Sequence, residues 1–211
     1  MTPQTTEKIP IKKSVPRRYG HPKMTINRRP TTLQRPIERT TTSVAANPLR
    51  IIPLGGLGEV GRNMHVLEYK NECIIVDAGL RFPEENMPGV DFIIPNIEYL
   101  ANNKNLKILG IFVSHAHYDH FGAIPYLISK LNYPPIYATS LTKEIILRRQ
   151  EEFTNLKKLD IKLIDVEKNN CVNLKNFIIN VFHVNHNVPD AVGFMIETPQ
   201  GTIMYTGDYK M

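Results

Sequence analysis

The segment that most limits how this chain can fold is "LKILGIFVSHAHYDHFGAIPYLISKL", residues 106–131. An apolar run of strand composition leads directly into four ionisable side chains, His115, His117, Asp119 and His120. Apolar residues at helical spacing follow them. Strand, polar turn and helix in that order make an α/β chain, a sandwich of sheets covered by helices. The chain has seven histidines and places three of them within six positions, so the turn is the natural place to look for chemistry.

The spacing H-x-H-x-D-H has a geometric reading. His115 and His117 stand two apart on extended chain leaving a strand, so they point to the same side. Asp119 and His120 follow where the backbone turns into a helix and are presented from a neighbouring position. One His pair for a first metal and one Asp/His pair for a second results, and imidazole with carboxylate suits Zn²⁺, with Mn²⁺ as competitor. The plainer alternative is a polar loop whose histidines only cap the helix. Two later residues fit the metal reading. His186, in "VNHNVPDAVG", follows a predicted strand and would complete the first metal's histidine triad. Asp208, in "MYTGDYK", is expected at the end of the last strand and could bridge both ions. Asp77, in "VDAGL", is read as accepting a ligand's N–H or fixing its loop rather than as a ligand. His65 and His183 fall within predicted strands and read as packing or surface residues; Asp190 is ambiguous.

The rest of the pattern is consistent with sheets and helices. Strands are predicted at "RIIPL", "MHVLEY", "ECIIVDAG", "PPIYAT", "IKLIDV", "NFIINVFHV", "AVGFMIET" and "GTIMYTGD", with turns at "KN" and "TPQG". Helices are predicted at "NIEYLANN", "HFGAIPYLISKL" and "SLTKEIILRRQEEF", the last with Ser140 as cap and Glu144 near its first turn. "GLGEVG" matches the dinucleotide fingerprint G-x-G-x-x-G, with Asp77 about twenty residues on. That motif needs a helix to begin at the glycines. Two alternating strands follow instead, so the glycines read as a tight loop passing near another part of the fold.

Charge is divided unevenly. Residues 1–49 hold ten Lys/Arg against two acids, with seven prolines and nine threonines, while residues 50–211 carry a net charge of −2. The basic Pro/Thr-rich tail, 1–49, shows no apolar period and is read as disordered. A solvated spacer, a polybasic arm tracking phosphates and a transit peptide all remain open for it. Cys73 and Cys171 lie far apart without CxxC spacing, which argues against a disulfide framework or thiolate zinc knuckle, and Cys73 reads as a buried inert thiol. No secretory segment and no apolar stretch of membrane-spanning length occurs, so a reducing, cytoplasmic setting without membrane contact is expected.

Five separate stretches, "GGLGEVGRNM", "IIVDAGLRFPEENMPGVD", "FVSHAHYDHFGAIPYL", "VNHNVPDAVG" and "TPQGTIMYTGDYK", together resemble one family. H-x-H-x-D-H with a later His and "GD" is similar to the metallo-β-lactamase superfamily, and the wording is closest to its ribonuclease J family of β-CASP nucleases. The resemblance runs from about Arg50 to Met211. It implies an αββα fold and a dinuclear, usually zinc, phosphodiesterase acting on RNA in 5′→3′ exonuclease and endonuclease modes, in RNA processing and decay. By position, His115, His117 and His186 would hold one metal, Asp119 and His120 the other, and Asp208 would bridge. Asp119 or Asp208 would orient the proton of the attacking hydroxide. Ala123 stands where the superfamily often has a second glycine, and Asn187 where this family commonly has serine.

In that family a further metal-binding histidine, the β-CASP domain and the rest of the hydrolase fold lie beyond "GD". The expectation is therefore that residues 50–211 are the N-terminal part of a metallo-β-lactamase-like domain, with an incomplete sandwich and an exposed strand edge. A homo-oligomer would belong to the full-length enzyme, whose assembly surfaces lie mostly downstream. Two rival readings stay open: a glyoxalase II-like thioesterase of the same superfamily, against which the long "GGLGEVGRN" and "FPEENMPGVD" stretches count, and a non-catalytic metal- and RNA-binding fragment.

Overall fold

The structure, a computed structural model, describes residues 47–210; the expected disorder of the tail falls, up to residue 46, outside the described residues. Its first sheet starts as an antiparallel meander of β1 (Leu49–Gly55), β2 (Met64–Tyr69) and β3 (Glu72–Val76). Parallel strands β4 (Lys107–Phe112), β5 (Ile136–Ala138) and β6 (Ile161–Leu163) continue it in the order β1-β2-β3-β4-β5-β6. Parallel pairing requires crossovers, and these carry the helices: α1 (Glu98–Asn102), then α2 (Tyr118–Phe121) and α3 (Ile124–Leu127), then α4 (Ser140–Gln150). Strands β7 (Cys171–Leu174), β8 (Phe177–His183), β9 (Val192–Thr198) and β10 (Gly201–Tyr205) form a second, antiparallel sheet in the order β10-β9-β8-β7.

The period-2 alternation of the central strands separates two cores. From β3, Cys73 and Ile75 face the helices with Ile111 and Val113, and pack with Leu100, Phe121, Ile124, Leu127 and Ile146. Ile74, Val76 and Phe112 face the other way and pack between the sheets with Phe177, Ile179, Val181, Phe194 and Ile196. A strand buried on both faces has to be almost wholly apolar, as "ECIIV" and "KILGIF" are. All four helices contribute to the first core, and among the described residues none lies on the outer face of the second sheet. Helix, sheet and sheet layers of the αββα sandwich are thus built, and β10 forms an edge.

Several local expectations need correction. The single helix expected over "HFGAIPYLISKL" is two short ones, because the Ala123 amide leaves the helical ladder to bond Ala78 O at 2.9 Å and Pro125 has no amide hydrogen. The N-cap of α4 is Thr139, not Ser140, and its first turn holds no acid. The Thr139 hydroxyl is engaged by Thr142 Oγ1 and Asp190 O, while the Asp190 carboxylate reaches the Leu141 amide at 3.5 Å. A cap supplied from some fifty residues away leaves no local signal. Strand β7 was not anticipated; it pairs with β8 through a second "KN" turn, with Lys175 at φ 57 as Lys70 is at φ 59. The glycine-rich loop leads into a strand, as expected, and Gly61 (φ 101) lies against Arg81. Cys73 is fully buried, and burial pushes its thiol up to about 12, so it is inert.

The centre of the inter-sheet core is Phe112, fully buried, stacked on Tyr137 at 4.5 Å and edge-on to Phe194 at 5.8 Å. Replacing it with alanine is expected to cost about 3–5 kcal/mol, read as a lowered urea midpoint with unchanged slope. A loss under about 1 kcal/mol would mean that the two sheets do not share this core.

Candidate metal centre

The carboxyl ends of β3 and β4 lie side by side, and both chains leave the sheet there. Asp77 is the first residue after β3 and lies in the left-handed region (φ 60), with its amide on Phe112 O at 2.8 Å. Ser114 and His115 follow β4. The Asp77 carboxylate is fully buried and takes four donors. Ser114 N–H donates to Oδ1 at 2.7 Å, while Ser114 Oγ, Tyr205 OH and His120 Nδ1 reach Oδ2 at 2.9, 2.7 and 2.8 Å. Burial, and then the Asp77 charge, push the Tyr205 hydroxyl well above its ordinary range, so it remains a donor.

This network orients two imidazole rings and fixes the tautomer of one, His115. His120 presents its Nδ1 hydrogen to Asp77, which turns Nε2 toward Asp119 Oδ2 at 3.5 Å and Asp208 Oδ1 at 3.6 Å. Because the Ser114 hydroxyl hydrogen goes to Asp77, its oxygen is left to accept from His115 Nδ1 at 3.0 Å, and His115 Nε2 is free to face outward. That nitrogen lies 3.0 Å from His117 Nδ1, which is 3.2 Å from His186 Nε2. Three imidazole nitrogens therefore converge. Burial, reinforced by the charge on His120, lowers the His115 pKa to about 4, and burial lowers that of His186, so both rings are neutral with lone pairs to give.

The structure brings together every residue predicted for the site. His115, His117, His186 and Asp208 form one group whose donor atoms lie within 4.8 Å of one another; Asp119, His120 and Asp208 form a second. Asp208 belongs to both. It stands three residues past the end of β10 rather than at the strand end, and a bond from the Lys210 amide to Asn185 O at 2.7 Å holds its loop against that of His186. Burial disfavours charge on His120, but Asp77, Asp119 and Asp208 outweigh it and push the ring up to about 12. In turn the His120 hydrogen bond brings Asp208 down to about 2. Neutral nitrogens in one group and ionised oxygens in both are the donor set that Zn²⁺ or Mn²⁺ takes. Asp77 contributes no donor atom to either group; its carboxylate meets His120 Nδ1 and the Ser114 amide.

Sequence reasoning missed three participants. Ser114 couples Asp77 to His115, Tyr205 reaches Asp77 from the second sheet, and Asn63 Nδ2 lies 3.2 Å from Asp119 Oδ2 and 3.1 Å from His120 Nε2. Only Asn63 carried a signal, as the last residue of the glycine-rich loop. His65 lies half-buried against the Tyr205 ring at 5.5 Å, and His183 is exposed 3.7 Å from Glu167; neither joins the site.

Three backbone segments meet beneath the second group. Asn63 N bonds Asp119 O at 3.0 Å, Ala78 N bonds His120 O at 2.7 Å, and Gly79 N bonds Asn63 O at 2.9 Å. A Cβ on Gly79 would fall 1.5 Å from Asp119 O, so no side chain is tolerated. Gly79→Ala is expected to destabilise the fold by about 1–3 kcal/mol or more and to displace residues 118–120. Denaturation together with amide chemical shifts of that turn would show it; an unshifted turn would contradict this packing.

The comparisons with known proteins agree with this geometry. The family model of the metallo-beta-lactamase superfamily matches residues 57–210. "Ribonuclease J" of Helicobacter pylori (strain J99 / ATCC 700824) is 43% identical over 163 residues, covering 77% of this chain and 23% of that protein. "Ribonuclease J" of Mycoplasma pneumoniae is 38% identical over 167 residues, 79% of this chain and 29% of that protein. The chain thus spans under a third of the length of these curated relatives. Among solved structures, a protein of unknown function from Enterococcus faecalis V583 superposes with a TM-score of 0.56 at 24% identity, over 78% of this chain and 44% of that one. The metallo-beta-lactamase fold protein YhfI from Bacillus subtilis gives 0.52 at 18%, over 77% and 63%. The chain belongs to the metallo-beta-lactamase superfamily, and its partial match within that family is to ribonuclease J.

Proposed function

We propose that this chain carries the metal centre of an RNA phosphodiesterase of ribonuclease J type, working in RNA processing and decay by 5′→3′ exonuclease and endonuclease action. The observation that supports it most is the sharing of Asp208 by two groups of ligand atoms, an arrangement suited to two ions side by side. In this reading His115, His117 and His186 hold one ion, Asp119 and His120 the other, and Asp208 both. Zinc is the first candidate and manganese its competitor. Two such cations supply Lewis acidity toward a phosphate and a water activated near neutral pH.

The chain's own residues do the rest. Asp77 and Ser114 hold His120 and His115 so that each presents Nε2 outward. Asn63 restrains the Asp119 carboxylate. The Asp119 or Asp208 carboxylate, both held ionised in the protein, orients the proton of the attacking hydroxide; Asp208 is kept ionised by its hydrogen bond to His120, and for Asp119 the same imidazole overrides its partial burial. No helix among the described residues is long and apolar enough to cross a membrane, and both cysteines are free, which suits a reducing compartment; the cytoplasm is the proposed location and RNA the proposed partner.

Metal content and cleavage of 5′-monophosphorylated RNA, measured on the purified chain beside His117→Ala, test the reading. Two ions per chain, with cleavage that His117→Ala abolishes, would make these residues a self-sufficient centre; one ion or none without cleavage, the outcome expected where the second group needs a further histidine ligand, would mean that the signature is intact but the centre incomplete. Hydrolysis of acyl-glutathione without RNA cleavage would assign the thioesterase instead. Salt-sensitive RNA retention with no cleavage would leave a binding fragment. Asp77→Ala is expected to weaken the Asp119/His120 ion about 10–100-fold and the other ion less; equal weakening of both would mean that the carboxylate acts through the fold alone.

A further inference from the structure

The metal groups follow the carboxyl end of β4; its other end, where β4 and β5 begin, carries an open groove of about 360 Å³. Lys104 and Lys107, at the entrance to β4, and Lys130, after α3, line it, and all three are exposed. Asn103 and Asn132 complete its polar lining, and among the described residues no Asp or Glu joins them. Glu72, opposite Lys107 on β3, is engaged by Lys175 Nζ at 3.4 Å and by the Asn176 amide. The ion pairs of lysine among the described residues are those of Lys162, Lys168 and Lys175, so the three ammonium groups of the groove are uncompensated. Residues 50–211 carry a net charge of −2, so this local excess does not reflect the charge of the whole.

Backbone hydrogen bonds set the walls. The Lys107 amide bonds Asn71 O at 2.8 Å and the Leu106 amide bonds Asn103 O at 3.1 Å. After α3, Tyr133 N bonds Ile128 O at 3.0 Å and Asn132 N bonds Ser129 O at 3.3 Å, with Asn132 left-handed (φ 67). This is a Schellman closure, and it holds Lys130 in the last turn. Lys157 Nζ lies 5.3 Å from the Tyr133 ring centroid and brings a fourth cation beside the groove. Lys104 and Lys130 also stand where a cation complements a helix C-terminus. That role does not extend to Lys107, the first residue of a strand.

We propose that this groove is a second RNA-contact surface, remote from the metal centre, which holds the sugar-phosphate backbone without reading sequence. It rests on the reading of the chain as one that acts on RNA. The length of β4 sets the two about 20 Å apart, so the groove engages a part of the RNA other than the bond being cut. Lysine ammonium groups act on phosphates as point charges, and asparagine adds neutral donors. Lysine is depleted from protein–protein interfaces. No large apolar side chain of the lining is exposed, so nothing here anchors a protein partner or enters a bilayer.

Lys104→Gln, Lys107→Gln and Lys130→Gln would be combined in the full chain carrying His117→Ala, so that RNA stays intact, and compared with His117→Ala alone. Fluorescence anisotropy of labelled single-stranded RNA across a salt series gives the affinity and the slope of log K against log [salt]. The triple change is expected to flatten that slope by about two and to weaken binding about tenfold at about 0.1 M salt, for every sequence alike. The thermal midpoint should not move. The basic tail is present in both chains, so its contribution cancels. On the unsubstituted chain, RNA should protect Lys104, Lys107 and Lys130 from acetylation and leave Lys168 reactive. An unchanged slope without protection overturns the proposal, whatever the metal centre does. A lowered midpoint with unchanged RNA affinity makes the lysines complements of the helix ends and overturns it too. Protection by poly-L-glutamate but not by RNA assigns the groove to an acidic protein, and the proposal fails. RNA that protects the three lysines yet is never cut counts against the nuclease reading and leaves the groove standing.

Discussion

The buried carboxylate of Asp77 is the interaction on which the rest of the site depends. An ionised group without solvent has to be met by donors on nearly every lone pair. Those donors come from the segment after β4 (Ser114), from α2 (His120) and from the second sheet (Tyr205). One anion therefore ties both sheets and the first helical turn to a common point. The requirement also runs outward: because Ser114 has given its hydroxyl hydrogen to Asp77, the outer nitrogen of His115 is left as an acceptor, while Asp77 aims the outer nitrogen of His120 at Asp119 and Asp208. Ring orientation at the candidate metal centre follows from meeting a buried charge behind it.

Placement of the site follows from the sheet. Parallel strands β3 and β4 end together, and the loops that leave their carboxyl ends carry Asp77 and the H-x-H-x-D-H turn, the position where open α/β sheets generally place their ligands. The second sheet contributes from its own end. His186 lies in the loop between β8 and β9, pinned by the Val184 amide on Ala191 O at 3.1 Å, and Asp208 follows β10. The Val192 amide on Ser114 O at 3.0 Å fixes the two ends relative to each other.

Much of this was legible in the sequence, for reasons that differ by residue. His115, His117, Asp119 and His120 are read from spacing because a strand end and a helix start place them by local geometry alone. The strands "MHVLEY" and "ECIIV" are read from their alternation and their burial on both faces. His186 and Asp208 became legible only beside the cluster, since neither has a local pattern of its own. Ser114, Tyr205 and the Asp190 cap of α4 were not legible, because each acts through a contact with residues far off in the chain. The break after α2 belongs to the same class: the carbonyl that captures the Ala123 amide lies on the segment after β3. What the sequence conceals here is partnership across the fold rather than secondary structure.

The membership of Asp208 in both groups carries a thermodynamic consequence. In the dinuclear reading proposed above, a half-exposed carboxylate on a loop would lose conformational freedom when a first ion fixed it, and that ordering would not be repeated for a second. Occupancy of the two positions is then linked, and linkage is reciprocal: whatever factor one ion applies to the affinity of the other is returned in full. Neither position has an intrinsic affinity separable from the state of its neighbour. The pair is one site with two steps of filling.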